Sequence, residues 1–276
     1  MWTKRRSMMR ALAACNVGCS IAVLVSACAA PPATQQSIEP GAPTVIAAEA
    51  EPTPIASPEP SPQSVVRLAG GIEVDRAEGE VRVPATVAST RGWLEQVVCL
   101  VETREHESLL VVEVKPSQIH AALLLLGLEA GEPGRWRYEN GQVEVDPSHG
   151  PEVVPLVRWR EGETEQTTAL ADWIRGADGR AFPAKWVFAG SHIRPNPPSW
   201  GAGEHYQADF SGSVVGLVTF GDETVAASTV ISDETALESA NWESWTERMP
   251  SEGTRATLIL QLPRSLRPSL SPAATR

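Results

Sequence analysis

Alternating and continuous apolar stretches fill the chain between residues 65 and 262. Residues 72–75 and 81–83 alternate around the turn Ala77-Glu78-Gly79, a pattern typical of a β-hairpin. The apolar runs 94–101 and 109–114 bracket a polar stretch and predict a second hairpin, with strands buried on both faces. Six further strands are predicted at residues 152–159, 165–170, 185–189, 213–220, 225–231 and 255–262.

Helical periodicity is confined to two places. Pro116-Ser117 opens a predicted helix from Gln118 to Leu126 that ends at Gly127, with proline at the start and glycine just past the end. Four consecutive leucines make this helix apolar on every side, which predicts that it is buried. A second short helix fits residues 239–248. Together these elements predict one α+β domain: a mainly antiparallel sheet or sandwich with a single buried helix.

Composition changes sharply at both ends of that domain. Residues 29–64 contain nine prolines, four glutamates and no lysine or arginine, which is typical of an extended linker. The last residues, 263–276, are predicted to be a disordered tail. The predicted divisions are therefore a leader (1–27), a linker (28–64), a globular domain (65–262) and a tail (263–276).

The leader begins with a basic stretch, Lys4 to Arg10, continues through the apolar run from Ala11 to Leu24 and ends at Cys28. That order is typical of a secretory signal peptide. The sequence Val25-Ser26-Ala27-Cys28 resembles the lipobox of bacterial lipoproteins. The resemblance implies that Cys28 is lipidated and becomes the mature N-terminus. A plain secretory signal cleaved near Ala27 or Ala30, and a retained transmembrane helix, are the alternatives. The expected location is the bacterial cell envelope, with the chain lipid-anchored to a membrane and its domain facing the periplasm or the exterior.

Charge and cysteine content exclude several classes of function. Removal of residues 1–27 takes away four basic residues and no acids, leaving 19 basic side chains against 34 acidic ones. A surface of that sign repels nucleic acid, so no nucleic-acid partner is expected. Cys99 is then the only cysteine without a lipid, so we expect no internal disulfide and no cysteine-ligated zinc or iron–sulfur centre. No cofactor is predicted.

Four segments occur together in the order that is typical of one family. They are Glu105-His-Glu-Ser108, His120-Ala-Ala-Leu-Leu-Leu-Leu-Gly127, Trp186-Val-Phe-Ala-Gly-Ser191 and Tyr206-Gln-Ala-Asp209. With these segments the chain resembles the YdjY-type domain of bacterial envelope and secreted proteins, over residues 68 to 262. The resemblance implies no established activity. Some members are associated with electron transfer through iron–sulfur partners, for which this chain has no set of cysteines.

The strongest candidate for a binding surface is the segment 190–209, a long Gly- and Pro-rich stretch within a compact domain. Its candidate binding residues are Ser191, His192, Trp200, His205, Tyr206 and Asp209.

Secondary candidates are Glu105, His106 and Glu107, whose side chains are of the types that bind zinc or manganese. His120 is the obvious further ligand, but a strand and a returning helix separate it from His106, so no metal site is predicted. We expect His120 to be a buried histidine with a satisfied hydrogen bond, and Glu105 to Glu107 to form a solvated turn or a structural polar network.

No sequence signature of a hydrolase, of a phosphate-binding loop or of dinucleotide binding is found. The leading hypothesis is therefore a membrane-anchored lipoprotein that presents a non-catalytic interaction or ligand-binding domain to an envelope protein or a small ligand. Two alternatives stay open. One is a metal-assisted hydrolase that uses His106, His192 or His205 with nearby carboxylates. The other is an accessory factor in envelope electron transfer.

Overall fold

The computed structural model describes residues 65–183, 185–232 and 242–267. The predicted signal peptide with Cys28, the linker up to residue 64 and the tail from residue 268 lie outside the described residues. The α-helices are α1 (Pro116–Leu125) and α2 (Gln207–Ser211). The strands in chain order are β1 (Val65–Arg67), β2 (Glu73–Asp75), β3 (Glu80–Val87), β4 (Gln96–Leu100), β5 (Ser108–Val112), β6 (Arg135–Glu139), β7 (Gln142–Asp146), β8 (Glu152–Glu161), β9 (Thr164–Ala169), β10 (Ile174–Gly176), β11 (Trp186–Phe188), β12 (Ile193–Pro195), β13 (Glu204–Tyr206), β14 (Ser213–Gly216), β15 (Val225–Ala227), β16 (Trp242–Ser244) and β17 (Arg255–Gln261).

Eight strands close into a barrel. They pair in the order β3, β17, β8, β11, β15, β14, β4 and β5, and β5 pairs back onto β3 through the partners Thr86↔Val111 and Val87↔Leu110. Alternate residues of these strands point inward, so that Val81, Val83 and Leu258 are fully buried in the core. The first predicted hairpin is present as β2 and β3, with Glu73 opposite Arg82.

The predicted fold class, a mainly antiparallel sheet or sandwich with one buried helix, is wrong. Strands account for 43% and helices for 18% of the structure, and the sheet is a closed barrel. Local patterns identify strands, but closure depends on the pairing of β3 with β5, which no local pattern specifies. The helix is also less buried than its composition predicts. It packs one face against β2, β3 and β14, and Leu124 on its outer side is 47% exposed.

The second predicted hairpin, over residues 94–114, is wrong as well. β4 and β5 pair in parallel, with Gln96 opposite Ser108 and Val98 opposite Leu110. Parallel neighbours usually need a connection of about a dozen residues or more. Here β4 and β5 are only five residues long, so the chain has a short distance to cover between the end of β4 and the start of β5. Residues 101–107 are enough to cover it. Glu102 makes the first turn, with a positive φ of 64°.

β14 and β15 repeat this arrangement on the other side of β4. They too are parallel neighbours, and β14 pairs antiparallel with β4. The Leu100 N–H donates to the Gly212 carbonyl at 2.9 Å, and reciprocally the Leu217 N–H donates to the Glu95 carbonyl at 3.2 Å. The sequences match in four of five positions, Val97-Val-Cys-Leu-Val101 against Val214-Val-Gly-Leu-Val218. The barrel therefore contains two units related by an approximate twofold axis.

Helix α1 begins at Pro116, two residues before the predicted first helical residue, and ends at Leu125, one residue before the predicted last one. Gly127 adopts a φ of 99°. Its N–H donates to the Leu124 carbonyl, and the Leu128 N–H donates to the Leu123 carbonyl, which closes the helix with a Schellman motif. The second predicted helix, over residues 239–248, is wrong at residues 242–244, which form strand β16, whereas Thr246–Arg248 form a short 3-10 helix. No helix among the described residues has both the length and the apolar character to cross a membrane.

Candidate functional site

The segment 190–209 forms a β-hairpin, β12–β13, that leads into helix α2. Ile193 lies opposite Tyr206, and Arg194 lies opposite His205. Gly190, just before the hairpin, has a φ of 86°, and a Cβ atom there would lie 2.5 Å from the Ala130 side chain, so only glycine fits. Ser191 accepts a hydrogen bond from the Ala208 N–H at 3.2 Å. The Ser191 hydrogen bond joins the two ends of this segment to each other.

Tyr206 is the half-buried centre of a polar network. Its hydroxyl donates to the Gly190 carbonyl at 2.9 Å and lies 3.2 Å from Thr224 Oγ1 and 3.0 Å from His120 Nδ1. Because the single hydroxyl proton goes to the carbonyl, Nδ1 of His120 must donate, which assigns the Nδ1–H tautomer. Burial lowers the pKa of His120 and raises that of Tyr206, so both are neutral near pH 7. The network ties α1 to the hairpin.

Asp209 performs a second structural task. Its carboxylate accepts hydrogen bonds from the Ser117 N–H and the Ser117 hydroxyl, both at 2.7 Å. Ser117 lies in the first turn of α1, where backbone N–H groups have no partner within the helix and a negative charge is favourable. Asp209 therefore caps α1 from a distant part of the chain.

His192 lines a surface cleft of about 360 Å³ together with residues from two other segments. Strand β6 contributes two arginines and a tryptophan, strand β12 contributes a further arginine, and the connection between β14 and β15 forms the floor. The lining residues are Arg135, Trp136, Arg137, His192, Arg194, Thr219, Phe220 and Gly221. Three guanidinium groups and one imidazole thus converge in a chain whose net charge is −11.

The arginines of the cleft are weakly neutralised. Arg135 lies 3.7 Å from Glu132 and Arg137 lies 3.4 Å from Glu144, in exposed pairs of the kind that contribute little. Among the described residues no carboxylate lies within ion-pair distance of Arg194. Burial, then Arg194 and Arg135, lower the pKa of His192, and these effects outweigh Glu132 and Asp222, which raise it. The three guanidinium groups of the cleft are therefore only partly neutralised.

The floor of the cleft is held from below by Glu223. Its Oε1 accepts hydrogen bonds from the Phe220 N–H at 2.5 Å and the Gly221 N–H at 3.1 Å. Its Oε2 is buried and has no hydrogen-bond partner among the described residues. Burial, followed by the Asp222 carboxylate, raises the pKa of Glu223 to about 7. Arg104 stacks on the Phe220 ring, 3.9 Å from its centre, and adds a further cation beside the floor.

An aromatic cluster borders the cleft. Trp200 contacts both His205 and Phe210 edge to face, with ring centres 5.3 Å apart in each pair. Trp200 is 49% and Phe210 59% exposed. Because Arg194 and His205 are cross-strand neighbours, they share one face of the hairpin. The cluster is therefore continuous with the cleft.

A family model of the YdjY domain matches residues 72–261, which is most of the described barrel together with the hairpins around the cleft. The chain belongs to the YdjY family. No curated protein and no solved structure matches the chain.

The secondary candidates of this YdjY domain lie apart from the cleft residues in the chain. Glu105, His106 and Glu107 form a short 3-10 turn after β4, where His106 is 75% exposed and lies 3.7 Å from Glu107. Glu105 Oε1 accepts a hydrogen bond from the Glu102 N–H. In the second unit of the barrel, Glu223 accepts one in the same way from the Phe220 N–H, three residues earlier in the chain. No three His, Cys, Asp or Glu side chains of the described residues are grouped so that they could hold a metal ion.

The sequence hypothesis missed most of the residues that line the cleft of the YdjY domain. Of the six primary candidates, His192 lines the cleft, and Trp200 and His205 belong to its aromatic border. Ser191, Tyr206 and Asp209 make structural hydrogen bonds. The predicted strands do not include the hairpin β6–β7, although Asn140-Gly141 between two alternating stretches is a strong hairpin signal. Both turn residues have positive φ, 52° and 79°.

Proposed function

We propose that this YdjY protein is a membrane-anchored envelope lipoprotein whose domain binds an anionic ligand without catalysing a reaction. The observation that carries the binding proposal is the convergence of Arg135, Arg137, Arg194 and His192 in one cleft. The leader sequence with Cys28 supports the anchor.

The chemistry of the cleft suits the binding of carboxylate or phosphate groups. Guanidinium groups keep their charge at every physiological pH and offer planar pairs of donors that match these anions. The N–H groups of the floor already donate to Glu223, so the charge that faces a ligand comes from side chains. Because the rest of the chain is strongly acidic, the cleft is also the region toward which an anion is attracted.

Citrate, a small trivalent anion, tests this proposal. We expect the full chain to bind citrate at low salt and to lose affinity as salt is added. Arg194→Gln should weaken binding by about tenfold or more, as expected for the loss of a charge-assisted hydrogen bond. The matched control is Arg91→Gln, since Arg91 is exposed and does not line the cleft. Isothermal titration that shows no citrate binding, or an equal loss in both variants, would refute the proposal.

A further inference from the structure

The exposed apolar side chains of the described residues are concentrated around the cleft. Ten large apolar residues are strongly exposed, and six of them lie on the two hairpin segments that border it. Strands β6 and β7 carry Tyr138, Val143 and Val145, and the segment from β12 to α2 carries Ile193, Trp200 and Phe210. Single exposed apolar residues are ordinary, but a contiguous group marks a binding surface.

The first flank is one face of the β6–β7 hairpin. Trp136 lies opposite Val145 and Tyr138 opposite Val143, so these four side chains share a face. Tyr138 is 63% and Val145 57% exposed. The opposite face holds the charged residues, including the pair of Arg137 and Glu144. A two-stranded hairpin is marginally stable by itself, and this one leaves its apolar face open to solvent.

The second flank is the aromatic cluster of Trp200, His205 and Phe210. The first flank shares a residue with the cleft, and the second contains a direct neighbour of a cleft residue. Trp136 belongs to the first apolar face and also lines the cleft. Arg194 lines the cleft and is the cross-strand neighbour of His205. The surface thus continues around strand β6, with its two arginines on one face of the hairpin and its apolar residues on the other.

This composition decides between a small anion and a larger partner. A small anion would use the arginines alone and would leave both borders exposed. Trp, Tyr and Arg are the residues that dominate the energetic centres of protein–protein interfaces, and aromatic residues and arginine are enriched there. The positive charge of the three arginines requires that the partner be acidic where it touches the cleft.

We infer that the cleft and its two apolar borders form one docking surface for an acidic polypeptide segment that carries aromatic or aliphatic side chains. This inference rests on the anion-binding cleft proposed above and names the occupant of that cleft. The acidic groups of the segment pair with Arg135, Arg137 and Arg194, and its apolar side chains cover Tyr138 on one side and Trp200 on the other.

A displayed library of random 12-residue peptides, selected on the full chain, tests the inference. We expect enrichment of peptides that contain both acidic and aromatic or aliphatic residues. For a selected peptide, Trp200→Ser and Tyr138→Ser should each weaken binding by about tenfold, and Arg194→Gln should do so as well. Trp93→Ser is the matched control, because Trp93 is 48% exposed and lies outside the surface. Unchanged melting temperatures of the variants establish that they fold.

The outcomes separate the inference from the proposed function. If citrate binds in an Arg194-dependent manner but selected peptides lack acidic residues, or bind Trp200→Ser and Tyr138→Ser as tightly as the wild type, the inference is wrong and the anion site stands. If polygalacturonate binds and loses affinity in these variants while no peptide is enriched, the occupant is an acidic glycan and the inference is again wrong. If neither citrate nor any acidic peptide binds, both proposals fail.

Discussion

Burial favours the neutral forms of two titratable side chains around the cleft floor, His192 and Glu223, whose pKa values shift in opposite directions. The pKa of His192 is lowered because an imidazolium would lose solvation and lie near Arg194 and Arg135. The pKa of Glu223 is raised to about 7 by burial and by Asp222. The cleft therefore holds an uncharged imidazole near pH 7, and that imidazole can become charged when an anion binds.

Anion binding should consequently strengthen as the pH falls. A bound anion stabilises the imidazolium of His192 and opposes the two arginines that lower its pKa. Glu132 and Asp222 also face His192 and favour its charged form, but to a smaller extent. Sulfate, whose charge does not change between pH 8 and pH 6, should therefore bind more tightly as the pH is lowered over that range, and His192→Gln should reduce that rise. His149→Gln is the control, because His149 is exposed and does not line the cleft. An unchanged pH profile in His192→Gln would contradict this role.

Glu223 should make the fold more stable in mild acid than in base. Its folded pKa of about 7 exceeds the ordinary 4.5, so the folded state binds its proton more tightly than the unfolded state. The resulting stability is fully present below the unfolded pKa and is lost as the pH rises through about 7. Glu223→Gln should thus raise the free energy of unfolding at pH 8 by up to about 3 kcal/mol, and by much less at pH 5.

Thermal unfolding at both pH values measures the effect of Glu223. Glu129→Gln serves as the control, because Glu129 is exposed. The assignment fails if Glu223→Gln shifts the melting temperature equally at pH 5 and pH 8. Glutamine can still accept the Phe220 and Gly221 N–H bonds, so the substitution removes the charge and keeps the floor contacts.

At the level of secondary-structure elements, helix α1 and the β12–β13 hairpin stabilise each other through polar contacts. Asp209 caps the first turn of the helix, and Tyr206 joins His120 on the helix to Gly190 and Thr224. The hairpin that supplies His192 and Arg194 to the cleft is thereby held on the barrel. Along the segment 190–209, the proposed binding residues are interspersed with the residues that hold the segment in place. Sequence patterns alone therefore could not tell the two groups apart.

Tyr206→Phe should lower the free energy of unfolding by about 1–3 kcal/mol, because it removes the common partner of three polar groups, two of them buried. The chain provides a matched control in its only other tyrosine, Tyr138, which is 63% exposed. Tyr138→Phe should change stability by less than about 0.5 kcal/mol. Denaturant titration measures both variants, and equal effects would contradict the structural role of Tyr206.

At the level of the whole molecule, the acidic chain presents a cationic cleft on a barrel that we propose is tethered to a membrane. Cys28→Ser should release the protein into the soluble fraction or block its processing, because the lipid cannot be attached. Cys19→Ser, a change of another cysteine in the same leader, should leave membrane partitioning unchanged. Fractionation of expressing cells distinguishes the two results. Membrane association that persists in Cys28→Ser would rule out the lipid anchor.

The sequence by itself determined the family, the first hairpin, most barrel strands and the ends of helix α1. These features depend on local information: alternation along a strand, proline and glycine at helix ends, and short ordered motifs. The same local information identified His192, Trp200 and His205 as candidates, because they lie on one Gly- and Pro-rich segment.

Only the tertiary structure decided the closure of the barrel, the parallel pairing of β4 with β5 and the composition of the cleft. Each of these depends on which distant segments meet, and periodicity carries no information about partners. Arg135 and Arg137 are ordinary charged residues of an exposed hairpin until β6 is placed beside Gly221 and β12. Tyr206 and Asp209 likewise lie close to the binding residues in sequence, but their burial against α1 makes them structural.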